Sequence, residues 1–192
     1  VGLSADDGHI LWNRQVGRLD ADSLVMDVTA KDATSALTLA GPPLADPTGA
    51  IFSLAVVDAD GKIAASANVR AAPNDPGSRH TARLATAGAA GLAVINHHAR
   101  LLETPAGRDD FGLPKSCWGG DRTEIVRFDA TTLAITGRTH IDRFKAWQVL
   151  PLDGNWLLVG EGRSGCALET RAVAYLVATD GKVKEFWRDD TV

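Results

Sequence analysis

The 192-residue chain is short of the residues that most often carry chemistry or a second compartment. It has two cysteines, one methionine and one tyrosine, and aromatics make up 6% of it. Two cysteines without a C-x-x-C spacing are too few for a zinc finger or an iron–sulfur cradle. There is no basic excess: Lys and Arg number 20 against 24 Asp and Glu, for a formal net charge of −4. The basic residues are scattered rather than clustered, which argues against a nucleic-acid partner, because phosphate binding draws on a concentrated positive face. No apolar run approaches the roughly 18 residues that span a bilayer, so no membrane insertion is expected. The chain opens at Val1 without a Met or a signal-like apolar segment, as expected of a mature form or of part of a longer polypeptide. G-x-S-x-G, P-loop and H-E-x-x-H patterns are all missing, and with them the usual signatures of serine-hydrolase, P-loop nucleotide and metalloprotease sites.

What the sequence has instead is turns. "SADDGH" (Asp7, Gly8), "VDADGK" (Asp60, Gly61), "FDATTL" (Asp129 to Thr132) and "VATDGK" (Asp180, Gly181) each sit between strand-like runs. Asp-Gly suits a tight hairpin, since glycine tolerates positive φ and the Asp carboxylate can bond its own backbone. A second set, near Asp32, Gly88 and Asp153, lies between them. Landmarks at 7, 32, 60, 88, 129, 153 and 180 are separated by 25, 28, 28, 41, 24 and 27 residues. A hairpin about every 27 residues, in two alternating kinds, describes a four-stranded unit of about 50 residues, the period of a propeller blade. The expected fold is therefore all-β: a β-propeller with about three and a half four-stranded blades in this chain. A half blade would cover 1–20 and full blades about 21–72, 78–143 and 144–190. The runs "IFSLAVV", "EIVRF" and "VAYLV" would be buried between stacked blades. The competing fold is a β-sandwich or an irregular meander. One Ala-rich segment, "TARLATAGAAGLAVINHHARLL", reads as either a helix or a hairpin turning near Gly88.

"LSADDGHILWNRQVG" resembles the third-to-fourth-strand hairpin of bacterial quinoprotein-like propeller repeats, and "IVRFDATTLAITGRTHI" resembles the same hairpin in related bacterial propellers. The resemblance implies a propeller fold. It carries over no quinone site, because the Trp that closes such repeats does not recur at one offset: Trp12 follows its turn glycine by 4 residues and Trp187 by 6. No cofactor is expected.

Cys117, in "GLPKSCWGGD", and Cys166, in "EGRSGCALET", precede matching strands by the same eight residues and so fall at equivalent places in neighbouring units. A bridge between them is expected, and would place the protein in a periplasm or extracellular space. The alternative is two unrelated buried thiols. The interval of 41 marks the other departure. Residues 99–120 form a long connection that combines Arg108, Asp109, Asp110, Phe111 and Trp118, the mixture of charge and aromatic surface used in recognition. Asp121 and Arg122 at its end, with Glu161 and Arg163 in the next unit, complete the expected contact face. The five histidines, His9, His80, His97, His98 and His140, read as structural, since adjacent strand residues point to opposite faces. No catalytic residue and no metal site is expected. Two function classes remain. One is a non-catalytic propeller domain of an exported bacterial protein, binding a protein, glycan or small ligand through disulfide-tied loops. The other is the propeller portion of a larger enzyme, either a cofactor-dependent dehydrogenase or a propeller-gated peptidase. Further blades from the same polypeptide, or a second chain, would cover the open ends of the arc.

Overall fold

The computed structural model describes residues 2–3, 10–12, 24–32, 34–42, 51–71, 79–98, 101–108, 114–118, 122–163 and 170–189. Side chains are described for most of these, but not for 2–3, 10–12, 24, 98, 101–108, 114–118, 163 and 170. The described residues contain strands and turns and no helix.

Among the described residues, sixteen strands form three four-stranded antiparallel meanders and two short hairpins. The first hairpin pairs β1 (Gly2–Leu3) with β2 (Ile10–Trp12). Sheet one runs β3 (Leu24–Ala30), β4 (Ser35–Gly41), β5 (Ile51–Asp58) and β6 (Ile63–Arg70), each strand beside its chain neighbour. Sheet two contains β7 (Arg79–Ala87), β8 (Ala90–His98), β11 (Arg122–Asp129) and β12 (Ile135–Asp142). Between its second and third strands the chain makes the second short hairpin, β9 (Leu101–Arg108) with β10 (Pro114–Trp118). The long connection is thus partly an arm of paired strands. Sheet three is β13 (Phe144–Leu152), β14 (Asn155–Arg163), β15 (Thr170–Val177) and β16 (Val183–Arg188). The Ala-rich segment is strand, not helix: β7 and β8 turn at Gly88, whose φ of 62° an L side chain adopts only with strain. Alanine's helix preference yields here to alternation, because Ala82 and Leu84 bury on one face and Ala85 on the other.

The turns explain why the hairpins form where they do. At Asp129 one carboxylate oxygen accepts the Thr131 and Thr132 N–H groups at 2.9 and 2.7 Å and the Thr132 hydroxyl at 3.0 Å. Leu133 takes φ 59° to close the loop. Asp32 repeats the device with the Thr34 N–H and hydroxyl and the Ser35 hydroxyl. Asp153 and Gly154 both have positive φ, 47° and 75°, which is a type I′ turn.

The three sheets stack face to face, and alternation along each strand directs the inward-facing apolar side chains into one of two cores. Leu37, Leu39, Phe52 and Leu54 of sheet one meet Ala93, Ile95, Val126 and Phe128 of sheet two. The intervening residues of sheet two, Leu92, Val94 and Ile125, meet Phe144, Trp156, Leu158 and Val173 of sheet three. Each fully buried Leu or Phe contributes about 2 kcal/mol of transfer free energy. Sheet two is therefore apolar on both faces, which is why β8 and β11 read as continuous hydrophobic runs.

The first strands lie side by side and point the same way. The Leu84 N–H donates to Asp27 Oδ2 at 2.7 Å, and the Thr86 hydroxyl donates to the Ala30 carbonyl at 3.3 Å. Arg83 Nε donates to the Trp147 carbonyl at 3.3 Å. Rising numbers on β3 thus match rising numbers on β7 and then β13. Among the described residues, every tight turn within the three sheets falls at one end of the stack. Every connection from a second to a third strand (42–50, 99–121 and 164–169) leaves from the other.

Candidate functional site

The end that carries the long connections is also where polar groups enter the stack. His97, near the end of β8, is in phase with Ala93 and Ile95, so it faces sheet one; Glu124 on β11 is in phase with Val126 and Phe128 and does the same. His97 Nε2 lies 3.3 Å from Glu124 Oε2, with both residues buried. Arg138 of β12 donates through Nη1 to Glu124 Oε1 at 2.8 Å and to the Arg70 carbonyl of sheet one at 2.7 Å. The His80 ring stands edge-on to His97, with centroids 4.9 Å apart, and edge-on to Phe52 of sheet one at 5.6 Å. A carboxylate removed from water needs such partners, and here they bind the fourth strand of one sheet to that of the next.

On the opposite face of sheet two, Asn96 is buried with a full set of four hydrogen bonds. Its Nδ2 donates to Thr81 Oγ1 at 3.0 Å and to the Ala146 carbonyl at 2.8 Å; its Oδ1 accepts from the Ala146 N–H at 2.9 Å and from Thr123 Oγ1 at 2.9 Å. The Thr123 hydroxyl proton is shared with the Phe144 carbonyl, 2.7 Å away. These bonds satisfy the main chain of β13 at its bulge, between Ala146 and Gln148.

The expected contact residues distribute around this end. Arg122 is the first residue of β11, beside His97 in register and beside Asp142 on β12, whose carboxylate lies 3.9 Å from its Nε. His140 joins the same carboxylate at 3.5 Å. Glu161 lies near the end of β14 on the face of sheet three turned away from sheet two, with Lys145 Nζ at 3.6 Å. Arg163 ends β14 opposite Thr170. Arg108 and Trp118 sit in the β9–β10 arm, where their backbones pair with Pro114 and Leu101. Cys117 pairs with Leu102 in the same ladder. Asp109, Asp110, Phe111, Asp121 and Cys166 lie outside the described residues, as do the side chains of Arg108, Cys117, Trp118 and Arg163. Arg122 and Glu161 share an end of the stack but face opposite sides of it.

The buried His97–Glu124–Arg138 group was missed as an interacting unit by sequence reasoning. Its signal is phase: on β8 and β11, polar residues at positions in step with an apolar stripe must be paired across it. Among the described residues no three His, Cys, Asp or Glu side chains are disposed to hold a metal ion.

No protein-family model matches this chain, and a search of curated proteins returns no significant match.

Proposed function

We propose that the chain is an arc of a β-propeller that serves as a non-catalytic binding module of an exported protein. Its contact face is the end from which the second-to-third-strand connections leave. The observation that supports this most is the asymmetry of the stack: within the three sheets one end has only tight turns, while the second strands end and the third strands begin at the other, so the connections 42–50, 99–121 and 164–169 leave from it. Stacked four-stranded meanders with their first strands adjacent and codirectional are what propeller blades require. Loops held on such a rigid base are suited to recognition. Arg108, Asp109, Asp110, Phe111 and Trp118 supply aromatic and guanidinium anchors, and Asp121, Arg122, Glu161 and Arg163 supply a polar rim. A Cys117–Cys166 bridge ties the connections of sheets two and three and lowers the ordering cost of binding. Such a bridge places the protein in a periplasm or outside the cell. Protein segments, glycans and small ligands all fit this chemistry.

The test is to pan the unreduced protein against a displayed peptide library and a glycan array, then repeat with Trp118→Ala and Arg108→Ala. Ligands lost at least tenfold in both variants, at unchanged melting temperature, support the reading. Ligands bound equally by wild type and both variants contradict it.

A further inference from the structure

The chain contains four Asp-Gly steps, and three of them, Asp60–Gly61, Asp153–Gly154 and Asp180–Gly181, lie in described turns. An aspartate followed by glycine can close on itself, because the glycine nitrogen, with no side chain beside it, reaches the preceding carboxyl carbon. The three turns hold that nitrogen and that carboxyl differently. The Gly61 N–H donates to the Asp58 carbonyl at 2.9 Å, and the Lys62 N–H ties the same turn by donating to Asp58 Oδ1 at 2.7 Å. Lys62 Nζ lies 3.7 Å from Asp60 Oδ2. The Gly181 N–H donates to the Ala178 carbonyl at 2.8 Å, and the Asp180 carboxylate accepts the Lys182 N–H at 3.0 Å and the Lys182 ammonium at 2.8 Å. Arg127 of sheet two lies over Gly181 and donates to the Thr179 carbonyl at 2.6 Å, clamping that turn from outside.

Asp153–Gly154 has none of these ties. Among the described residues, neither the Asp153 carboxylate nor the Gly154 N–H has a hydrogen-bond or ionic partner, and the side-chain bond at this turn runs from Asn155 Nδ2 to the Asp153 carbonyl at 3.2 Å. Open space surrounds Gly154, and Asp153 is exposed with φ 47°, a left-handed conformation that costs an L residue strain. Turning the Asp153–Gly154 peptide to bring the nitrogen onto the carboxyl therefore breaks no bond made by either reacting group. We infer that Asp153 is the principal site of spontaneous isoaspartate formation among these three turns. The Gly154 nitrogen adds to Cγ of the protonated Asp153 carboxyl, its proton leaves with the carboxyl hydroxyl as water, and a five-membered succinimide closes. Water then opens the ring. Attack at Cγ restores aspartate, whereas attack at the main-chain carbonyl carbon breaks its bond to the Gly154 nitrogen and leaves the chain running through Cβ. The product carries a free, exposed α-carboxylate, the substrate of an isoaspartyl methyltransferase that uses S-adenosylmethionine. The extra main-chain atom no longer fits a two-residue type I′ turn, so the pairing of Leu152 with Asn155 at this end of sheet three is lost first.

The test is to age the folded protein at neutral pH and body temperature, digest it, and map isoaspartate with an isoaspartyl methyltransferase and labelled S-adenosylmethionine. The expected result is label in the peptide containing Asp153 about tenfold or more above that in the peptides containing Asp60 and Asp180. Aged in concentrated urea, where the turn bonds are gone, the three peptides should label within about twofold of one another. Asp153→Glu, whose longer side chain cannot close the five-membered ring, should remove the label from its own peptide and leave the other two unchanged. Comparable label at all three turns of the folded protein overturns the inference, as does a lead for Asp60 or Asp180, or no label at any of them. A lead for Asp153 that persists undiminished in urea overturns it too, because the preference then belongs to the local sequence and not to the turn.

Discussion

The side-chain amide of Asn96 forms two hydrogen bonds with the main chain of Ala146 in the neighbouring sheet, one through Nδ2 and one through Oδ1. A cross-sheet bond pair of this kind replaces the backbone ladder that stacked sheets lack, and it fixes β13 relative to β8.

Replacing Asn96 by Leu keeps the volume but leaves the Ala146 N–H and carbonyl buried without this partner. The expected cost is about 2 kcal/mol or more, read as a lower urea midpoint at unchanged m-value. A variant within 0.5 kcal/mol of wild type shows that the pair does not hold the sheets together.

Gly91 lies directly opposite Phe128, and a β-carbon built on it falls 2.2 Å from the ring. Gly91→Ala is therefore expected to cost about 1–3 kcal/mol through overpacking. Combining it with Phe128→Leu should cost less than the sum of the two single changes, since the smaller side chain vacates the collision. Strict additivity in a double-mutant cycle refutes this packing.

The meander organisation is legible in the amino-acid sequence, through the alternating turn landmarks and the continuous apolar third strands. Asp129 and Asp153 mark turns because their backbone chemistry is local, and local chemistry is what a sequence displays. The pairing of Glu124 with His97 and Arg138 was not legible, since it joins three strands through register that only the folded sheet sets. Alanine content left β7 and β8 open between helix and hairpin, and burial between two sheets decided for the hairpin over intrinsic preference. The exposure of Leu150 and Trp187 was hidden for a different reason: both look like core residues in any hydrophobicity count.

Hydrogen bonds from neighbouring hydroxyls and backbone amides hold the Asp32 and Asp129 carboxyls below the ordinary Asp range, led by the Ser35 hydroxyl at Asp32 and the Thr132 N–H at Asp129. Asp180 is lowered as well, chiefly by its bond with the Lys182 side chain. A folded carboxyl that binds its proton less readily than the unfolded one contributes stability above the unfolded value near 3.9. That contribution is lost as pH falls through and below it. Wild type should therefore destabilise more steeply below about pH 4 than a variant carrying both Asp32→Asn and Asp129→Asn. Carboxyl resonances of Asp32 and Asp129 that titrate at the ordinary Asp value would refute the turn bonding.

The central claim is that the connections of sheets two and three converge at one end of the stack as a tied contact surface. Peptide mapping of the unreduced protein by mass spectrometry tests it most directly, because Cys117 and Cys166 lie on those two connections and a bridge requires their Cα atoms within about 7 Å. The account predicts one linked pair of peptides, separated by reduction. Two thiols that alkylate freely without reductant would contradict it, and would remove the export argument with it.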